Sequence, residues 1–138
     1  MPRILALDYG LKRTGIAVTD PLQIIASPLQ TVETNQLMKF LEEYFKAEVV
    51  ESIVVGDPKN LDNTPNDFSI QVKKIVAEIE NKFPGKKIIM VDERFTSKMA
   101  QQAILSSGKK KKDRRDKSLL DKVSAALILQ HYLEMKKK

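Results

Sequence analysis

Short apolar runs of strand length open this chain, before any segment with helical periodicity. RILALD (3–8) and TGIAVT (14–19) are joined by a glycine-containing turn, which predicts a hairpin. QIIASPLQTV (23–32) is the third predicted strand, and its Pro28 lacks a backbone donor, so we expect this strand at a sheet edge or bent there. The chain must therefore fold around a sheet that begins as an antiparallel meander.

Helices separate the strands that follow. Thr34 is a candidate cap for a first helix whose apolar residues recur at helical spacing: Leu37, Met38, Leu41, Tyr44 and Phe45. SIVVG (52–56) and KKIIMVD (86–92) are predicted buried strands, with a second helix over 68–83 between them. Two closing helices, over about 97–107 and 119–135, give the order β-β-β-α-β-α-β-α-α. This order predicts an α/β protein with a mixed sheet covered by helices on its faces.

Length and composition indicate one globular domain. With 138 residues the chain can build one core but not two lobes. Hydrophobic residues make up 42% and charged residues 30%, and no apolar run approaches the length of a membrane span. Cysteine is absent, and the first residues do not resemble a secretory signal. We expect a single domain over 1–138, in the cytoplasm.

Positive charge is concentrated towards the carboxyl terminus. KKKKDRRDK (109–117) holds seven Lys and Arg and two Asp, and the tail 136–138 adds three lysines. We call residues 108–117 the basic arm and expect a mobile loop, because it has no apolar residue to bury. It predicts a nucleic-acid partner, and the alternative is a solvated loop that only aids solubility. The candidate phosphate contacts are Lys109, Lys110, Lys111, Lys112, Arg114 and Arg115.

Three acidic residues stand next to predicted strands or helices. Asp8 ends the first strand, Glu93 follows the strand over 86–92, and Asp121 opens the last helix. In this order the first and fourth strands are neighbours, so the three carboxylates can meet at one end of the sheet. Hydrolysis of a phosphodiester by two divalent ions needs such a group of carboxylates. Oxygen ligands favour Mg²⁺ or Mn²⁺ over zinc, which prefers the cysteine and histidine that this chain nearly lacks.

Two of these carboxylates have structural interpretations as well. Asp8 can shape the turn after it, and Glu93 can form a salt bridge with Arg94 or with a lysine. Asp92 precedes Glu93 directly, and neighbouring residues of an extended chain point to opposite faces. We therefore expect only one of Asp92 and Glu93 to reach the site.

Asp121 has the strongest competing interpretation. With Ser118 it has the spacing of a capping box, and an acidic residue in the first turn of a helix is favourable without any metal. Against this, Asp121 shares a helical stripe with Ser124, Ala125 and Ile128, a small and apolar face suited to packing on the sheet. His131 lies later in the same helix and is expected to be an exposed residue without a chemical role.

The motifs around these residues resemble one family. DYGLKRTGIAVTD (8–20) is similar to the D-x-G-x-x-R-x-G-x-A opening of the YqgF family, also called RuvX-like. VDERFTS (91–97) and LDKVSAALIL (120–129) resemble its two later blocks, in order. The resemblance implies a ribonuclease H-like fold with a mixed five-stranded sheet. It also implies a Holliday-junction-resolvase-like nuclease with a proposed role in trimming the 5′ end of precursor 16S rRNA.

The same resemblance bears on individual residues. It favours Glu93 over Asp92, and it gives Arg13 and Arg94 a role, either in holding the scissile phosphate or in neutralising the carboxylates. Asp57 departs from the family pattern, which has an apolar residue between glycine and proline here. Asp57 is then either a fourth metal ligand or an exposed turn residue before proline, and we expect the turn residue.

Several functional alternatives remain open at this point. The substrate is structured RNA or a branched DNA such as a Holliday junction, and the protein is a monomer or a weak homodimer. A non-catalytic nucleic-acid-binding module would keep the same fold and basic arm. An actin-like ATPase is disfavoured, because one lobe cannot enclose a nucleotide and the chain has no phosphate-binding G-x-x-x-x-G-K-[ST] loop. Aromatic residues make up only 6%, so we expect recognition by shape and backbone.

Overall fold

The computed structural model describes residues 2–57, 67–92 and 117–136. Five strands form one sheet in the order β3-β2-β1-β4-β5. They are β1 (Arg3–Asp8), β2 (Arg13–Thr19), β3 (Ala26–Glu33), β4 (Val50–Asp57) and β5 (Lys87–Asp92). The described helices are α1 (Leu37–Ala47), α2 (Asp67–Lys82) and α3 (Lys117–Lys136), and a 3₁₀ turn, Thr34–Gln36, precedes α1.

The sheet is mixed, as predicted. β1, β2 and β3 form the antiparallel meander, whereas β4 pairs parallel with both β1 and β5. β1, β4 and β5 end at one edge of the sheet, where β2 begins and β3 ends. We call this edge the carboxyl edge and the opposite one the amino edge.

Two apolar cores cover the two faces of the sheet, because successive residues of a strand alternate between faces. Leu5 and Leu7 pack with α1 and α2 in one core. Ile4 and Ala6 pack with α3 in the other. We call these the α1–α2 face and the α3 face. The apolar stripes predicted for the helices are therefore the surfaces that cover the sheet.

β3 is an outermost strand of the described sheet, paired only with β2, as predicted. It begins at Ala26 and not at Gln23. The preceding residues form a turn around the Asp20 carboxylate. Its Oδ1 accepts hydrogen bonds from the backbone N–H of Ile24 and Ile25 at 2.9 and 2.8 Å. Because the N–H groups of Ile24 and Ile25 bond within the turn, they do not pair with β2. The segment is therefore a turn, although its residues are apolar enough for a strand.

Other predictions concern the ends of the helices. Thr34 was expected to cap α1, and this is wrong: Gln36 holds that position without a side-chain hydrogen bond, and Thr34 belongs to the 3₁₀ turn. The helix predicted over 97–107 and the basic arm before 117 lie outside the described residues. Within the described ranges, no helix has the length and apolar character needed to cross a membrane.

Candidate active site at the carboxyl edge of the sheet

Three neighbouring parallel strands each end in an acidic residue at the carboxyl edge. Asp8 ends β1, Asp57 ends β4 and Asp92 ends β5. Asp57 and Asp92 are partners in the register of β4 and β5. Neighbouring strands lie about 4.8 Å apart, so the topology gathers acidic residues that are far apart in sequence. The prediction that the first and fourth strands are neighbours is confirmed.

Asp8 continues the α3 face of β1, two residues after Ala6, and is half-buried. Its partner in β2 is Gly15. On the other side, Leu7 pairs with Val55, so Gly56 stands beside Asp8 in β4. Neither glycine has a side chain to cover the carboxylate. Glycine in a strand often marks a close approach of a ligand or of another element, and both glycines beside Asp8 are buried.

Asp57 lies in a different environment from the one expected. β4 continues through Asp57 and pairs with β5 up to that residue, which is only 8% exposed. The expectation of an exposed turn residue is therefore wrong, because strand pairing extends to the last residue before the proline. Ile53 and Val55 belong to the core under α1 and α2, so alternation places Asp57 on the α1–α2 face. Asp8 and Asp57 thus occupy opposite faces of the sheet.

The direction of α3 follows from contacts at its carboxyl end. Lys136 Nζ lies 3.2 Å from Gln23 Oε1 and 3.9 Å from Glu51 Oε1. Gln23 in turn donates to the carbonyl of Pro2, so this end of the helix lies at the amino edge. A helix rises about 1.5 Å per residue, so the opposite end of α3 extends back across the sheet towards the carboxyl edge.

Position 121 lies on the part of α3 that approaches the carboxyl edge. It is 15 residues, or about 22 Å along the helix, before Lys136, and the six residues of β1 span a similar length of about 20 Å. The predicted packing face is confirmed, because Ser124, Ala125 and Ile128 are buried. The capping-box interpretation needs Asp121 within the first turn of the helix. Because α3 begins at Lys117, Asp121 lies beyond that turn. The side chain of Asp121 lies outside the described residues.

A cation stands close to Asp8. Arg13 begins β2, two residues before Gly15, which places it on the α3 face diagonal to Asp8. Diagonal neighbours of an antiparallel pair are about 7 Å apart, within reach of a long side chain. Arg13 is half-buried. The predicted site residues Asp8 and Arg13 are therefore brought together at one edge and on one face.

Thr34, missed by the sequence analysis as a site residue, holds the turn between β1 and β2. Its N–H donates to the carbonyl of Lys12 at 2.9 Å, and its hydroxyl donates to the carbonyl of Gly10 and lies 3.0 Å from the hydroxyl of Thr14. Gly10 cannot be replaced freely, since a Cβ there would overlap the carbonyl of Arg13. A threonine that follows an edge strand opposite a hairpin turn is the signal that could have suggested this role.

The remaining predicted site residues are not described. Glu93, Arg94 and the cations of the basic arm lie outside the described residues, and so does the side chain of Asp92. Among the described side chains, no three acidic, histidine or cysteine residues form a group able to hold a metal ion. His131 is exposed on α3, as expected.

Comparison with known proteins gives consistent matches along the chain. The profile of a family described as "RuvX: Holliday junction resolvase" matches residues 2–135. A Christiangramia forsetii protein named "Putative pre-16S rRNA nuclease" is 56% identical over 133 residues, which cover 96% of this chain and 98% of that protein. A protein of the same name from Flavobacterium johnsoniae is 51% identical over 137 residues, or 99% of each chain.

Solved structures show the same fold. RuvC from Thermus thermophilus, in complex with a Holliday junction substrate, aligns with a TM-score of 0.57 and 16% identity over 98% of this chain and 96% of that chain. A second structure of Thermus thermophilus RuvC aligns with a TM-score of 0.52 and 14% identity, covering 97% and 96%. The ribonuclease H-like fold predicted from the sequence is confirmed.

Proposed function

The chain belongs to the RuvX family, and from this membership we propose that it is an endonuclease that hydrolyses phosphodiester bonds in structured nucleic acid. The nuclease class is supported by the family match over residues 2–135 and by relatives 47–56% identical that carry a nuclease name. The observation that carries the proposal is Asp8. It ends a buried strand between two glycines, on the face that α3 covers.

The substrate we propose is the 5′ region of precursor 16S rRNA. The names of the Christiangramia forsetii and Flavobacterium johnsoniae relatives support this choice. The composition agrees with it, because a chain with few aromatic residues has few platforms on which to stack bases. Folded RNA is recognised largely by its shape and through its sugars and phosphates. Lysine and arginine, which this chain has in excess, suit that form of recognition.

Asp8, Glu93 and Asp121 are the proposed ligands of a divalent ion, Mg²⁺ or Mn²⁺. Asp8 fits this role, since it offers carboxylate oxygens beside two residues without side chains, and hard ions prefer oxygen. The course of α3 supports Asp121, which lies on the same face at the same edge. Glu93 follows directly after β5. Asp57 is left out of the set, because alternation places it on the other face.

The chemistry that divalent ions supply in such sites is activation of a water nucleophile and neutralisation of charge on the phosphate. We propose that the protein contributes by holding the ligands and the substrate phosphate in fixed positions. Asp8 is held by β1, which is paired on both sides, so its carboxylate does not depend on a loop for its position. Arg13 orients the scissile phosphate or balances the carboxylates, and Arg94 shares one of these roles.

Cleavage by the purified full-length protein tests the proposal. A 5′-extended 16S rRNA fragment and a four-way DNA junction are incubated separately with Mg²⁺, with Mn²⁺ and with EDTA. We expect metal-dependent cleavage of the RNA and none in EDTA. Binding of RNA without cleavage under any of these conditions would contradict the nuclease and indicate a non-catalytic module.

Resolution of Holliday junctions is the second candidate function, favoured by the description of the family whose profile matches. Symmetric resolution requires two active sites, so this candidate also predicts a dimer. Cleavage of the four-way junction alone, with sedimentation as a dimer, would support it. Depletion in the host gives the same distinction: 5′-extended 16S rRNA accumulates if RNA is the substrate, and unresolved junctions accumulate if DNA is.

A further inference from the structure

A cleft opens beside the proposed active site, between the β1–β2 turn and the end of β3. Its volume is about 490 Å³, and its lining residues are Leu11, Lys12, Arg13, Glu33 and Asn35. Small-molecule sites in proteins are typically about 300–1,000 Å³, so the cleft has room for a unit the size of one nucleotide. The side chains of Lys12 and Asn35 have no role in the site described above.

The charge in the cleft suits one nucleotide of a strand. Lys12 and Arg13 offer two positive charges and Glu33 one negative charge, which leaves a net charge of about +1. A phosphodiester carries one negative charge for each nucleotide, whereas a polyphosphate would face the Glu33 carboxylate with several. The amide of Asn35 provides donors and an acceptor for a sugar hydroxyl or a base edge. Leu11, which is 68% exposed, adds an apolar surface.

The cleft lies close enough to Asp8 to hold the same strand. Arg13 lines the cleft and is also the diagonal neighbour of Asp8. Glu33, on the far side, is two strand positions from β1, which corresponds to roughly 10 Å. Stacked nucleotides rise about 3.4 Å each, so the cleft lies within about three nucleotides of a phosphate placed at Asp8.

Thr34 fixes the two walls of the cleft relative to each other. It follows Glu33 on one wall, and its N–H and hydroxyl bond to the carbonyls of Lys12 and Gly10 on the other. The turn that carries Lys12 is therefore fixed before any ligand arrives. A preformed site avoids the entropic cost of ordering a loop on binding.

We propose that this cleft is a subsite for one nucleotide of the substrate strand, next to the cleavage site, with Lys12 contacting its phosphate and Thr34 positioning the turn. The proposal rests on the proposed nuclease function, since it takes the strand to pass Asp8. The ligand chemistry, a sugar-phosphate unit, is shared by RNA and DNA strands.

Binding of labelled strands by the full-length protein in EDTA tests the subsite without requiring cleavage. The probes are an RNA spanning the 5′ cleavage region of 16S rRNA, the same sequence as single-stranded DNA, and RNAs shortened by one nucleotide at a time from either end. Affinity is measured across a salt series. Lys12→Gln should weaken binding and lower the slope of log affinity against log salt by about one unit, as for one lost phosphate contact.

Shortening the RNA provides the decisive comparison. The effect of Lys12→Gln should vanish once the nucleotide that occupies the cleft is removed, so that the two changes are not additive. Lys46→Gln is the matched control. Lys46 is also a lysine, its side chain is 76% exposed, and it lies in the last turn of α1, away from the sheet edge that holds the cleft. It should change neither affinity nor slope. A stronger effect on RNA than on DNA would assign the sugar hydroxyl to the cleft.

Thr34 is tested as a positioning residue by two substitutions. Thr34→Val removes the hydroxyl bonds and should reproduce the lowered salt slope of Lys12→Gln. Thr34→Ser keeps a hydroxyl and should give the salt slope of the wild type. An unchanged salt slope for Lys12→Gln, or an equal loss of affinity on every shortened RNA, would overturn the subsite. Cleavage by the wild type would still support the nuclease function in that case. Binding and subsite behaviour without cleavage would instead overturn the nuclease alone.

Discussion

The two edges of the sheet are built differently. At the amino edge, long polar side chains connect elements that are distant in sequence. Arg3 bonds Glu48 at 3.3 Å. Gln23 bonds Glu51 at 2.8 Å, and Lys136 reaches Gln23 at 3.2 Å. These bonds attach the turn before β3 and the end of α3 to the first residues of the parallel strands.

The carboxyl edge is held at the β1–β2 turn by Thr34, which bonds the carbonyls of Lys12 and Gly10. It has glycines beside Asp8, a buried carboxylate at Asp57 and an open cleft lined by Lys12. Such features contribute little to stability, and a buried carboxylate opposes it unless it is compensated. The described bonds of the amino edge therefore connect distant elements, while the carboxyl edge also presents groups suited to chemistry. Substitutions should accordingly separate into those that change activity and those that change stability.

The largest expected effect is at Asp8. Asp8→Asn keeps the size and shape of the side chain but removes the charge that we propose binds a metal ion. Cleavage of the precursor RNA should be abolished, while the melting temperature and the RNA affinity stay close to those of the wild type. Single-turnover cleavage, thermal melting and binding in EDTA measure the three quantities.

The amino edge supplies the control for this variant. Gln23→Ala removes bonds to Pro2 and Glu51 and should lower the melting temperature without lowering the cleavage rate at saturating substrate. Near wild-type cleavage by Asp8→Asn in Mg²⁺ would show that the proposed site is wrong, and with it the assignment of chemistry to the carboxyl edge.

Asp121→Asn comes next and distinguishes the two interpretations of that residue. We expect most of the activity to be lost, at a cost of under about 1 kcal/mol in stability, because a charge near a helix start has only a small effect. The structure already places Asp121 beyond the first turn of α3. Full activity with a lowered melting temperature would mean that Asp121 serves only the helix.

The basic arm should produce an intermediate effect, on binding more than on chemistry. Replacing Lys109, Lys110, Lys111 and Lys112 with serine should lower the salt slope by up to about three units, for all sequences alike. A matched variant replaces four exposed lysines of α1 and α2 with glutamine: Lys39, Lys46, Lys73 and Lys74. An equal loss of slope in both variants would mean that the arm acts only through net charge.

If the arm also positions Asp121, single-turnover cleavage at saturating RNA falls along with affinity, since the arm leads directly into α3. Normal turnover with a lowered slope would make the arm a tether alone. This measurement decides whether the carboxyl edge includes the arm as part of its chemistry.

Sequence patterns were sufficient for the strands and helices with a strong period. β1 matches its prediction residue for residue, and α1 and α2 lie over the predicted apolar stripes, because burial of a face imposes that period. The turn before β3 was not foreseen, since its apolar residues look like a strand. The turn is formed by Asp20, which precedes these residues and whose side-chain carboxylate accepts hydrogen bonds from their backbone N–H groups.

The site was predictable in its residues but not in its geometry. Asp8 and Arg13 are visible in the opening motif, yet the glycines on either side of Asp8 come from strand register, which pairs residues 7 and 48 positions apart. Asp57 was misjudged because a proline follows it, although pairing with β5 continues to that point. Alternation, counted from the buried residues of β4, then gives its face.

The smallest expected effect tests the amino edge and depends on pH. The backbone N–H of Ile25 contributes most to holding the pKa of Asp20 below its ordinary value of 3.8, helped by those of Ile24 and Leu22 and opposed by partial desolvation. The charged form therefore stabilises the turn, in which Gln23 adopts a φ of 60° that few residues tolerate. Asp20→Ala should lower the melting temperature by a few degrees at pH 7 and leave cleavage unchanged.

The sign of the pH dependence follows from the lowered pKa. The advantage of the wild type over Asp20→Ala should be fully present above about pH 3.8 and should be lost as the pH falls below that value, when Asp20 becomes protonated in the folded protein. Urea melts of both proteins between pH 2.5 and 7 measure this difference. A difference that did not shrink on acidification would show that the Asp20 charge does not hold the turn. A loss of cleavage at neutral pH would show instead that the two edges are coupled, against the separation of stability from chemistry.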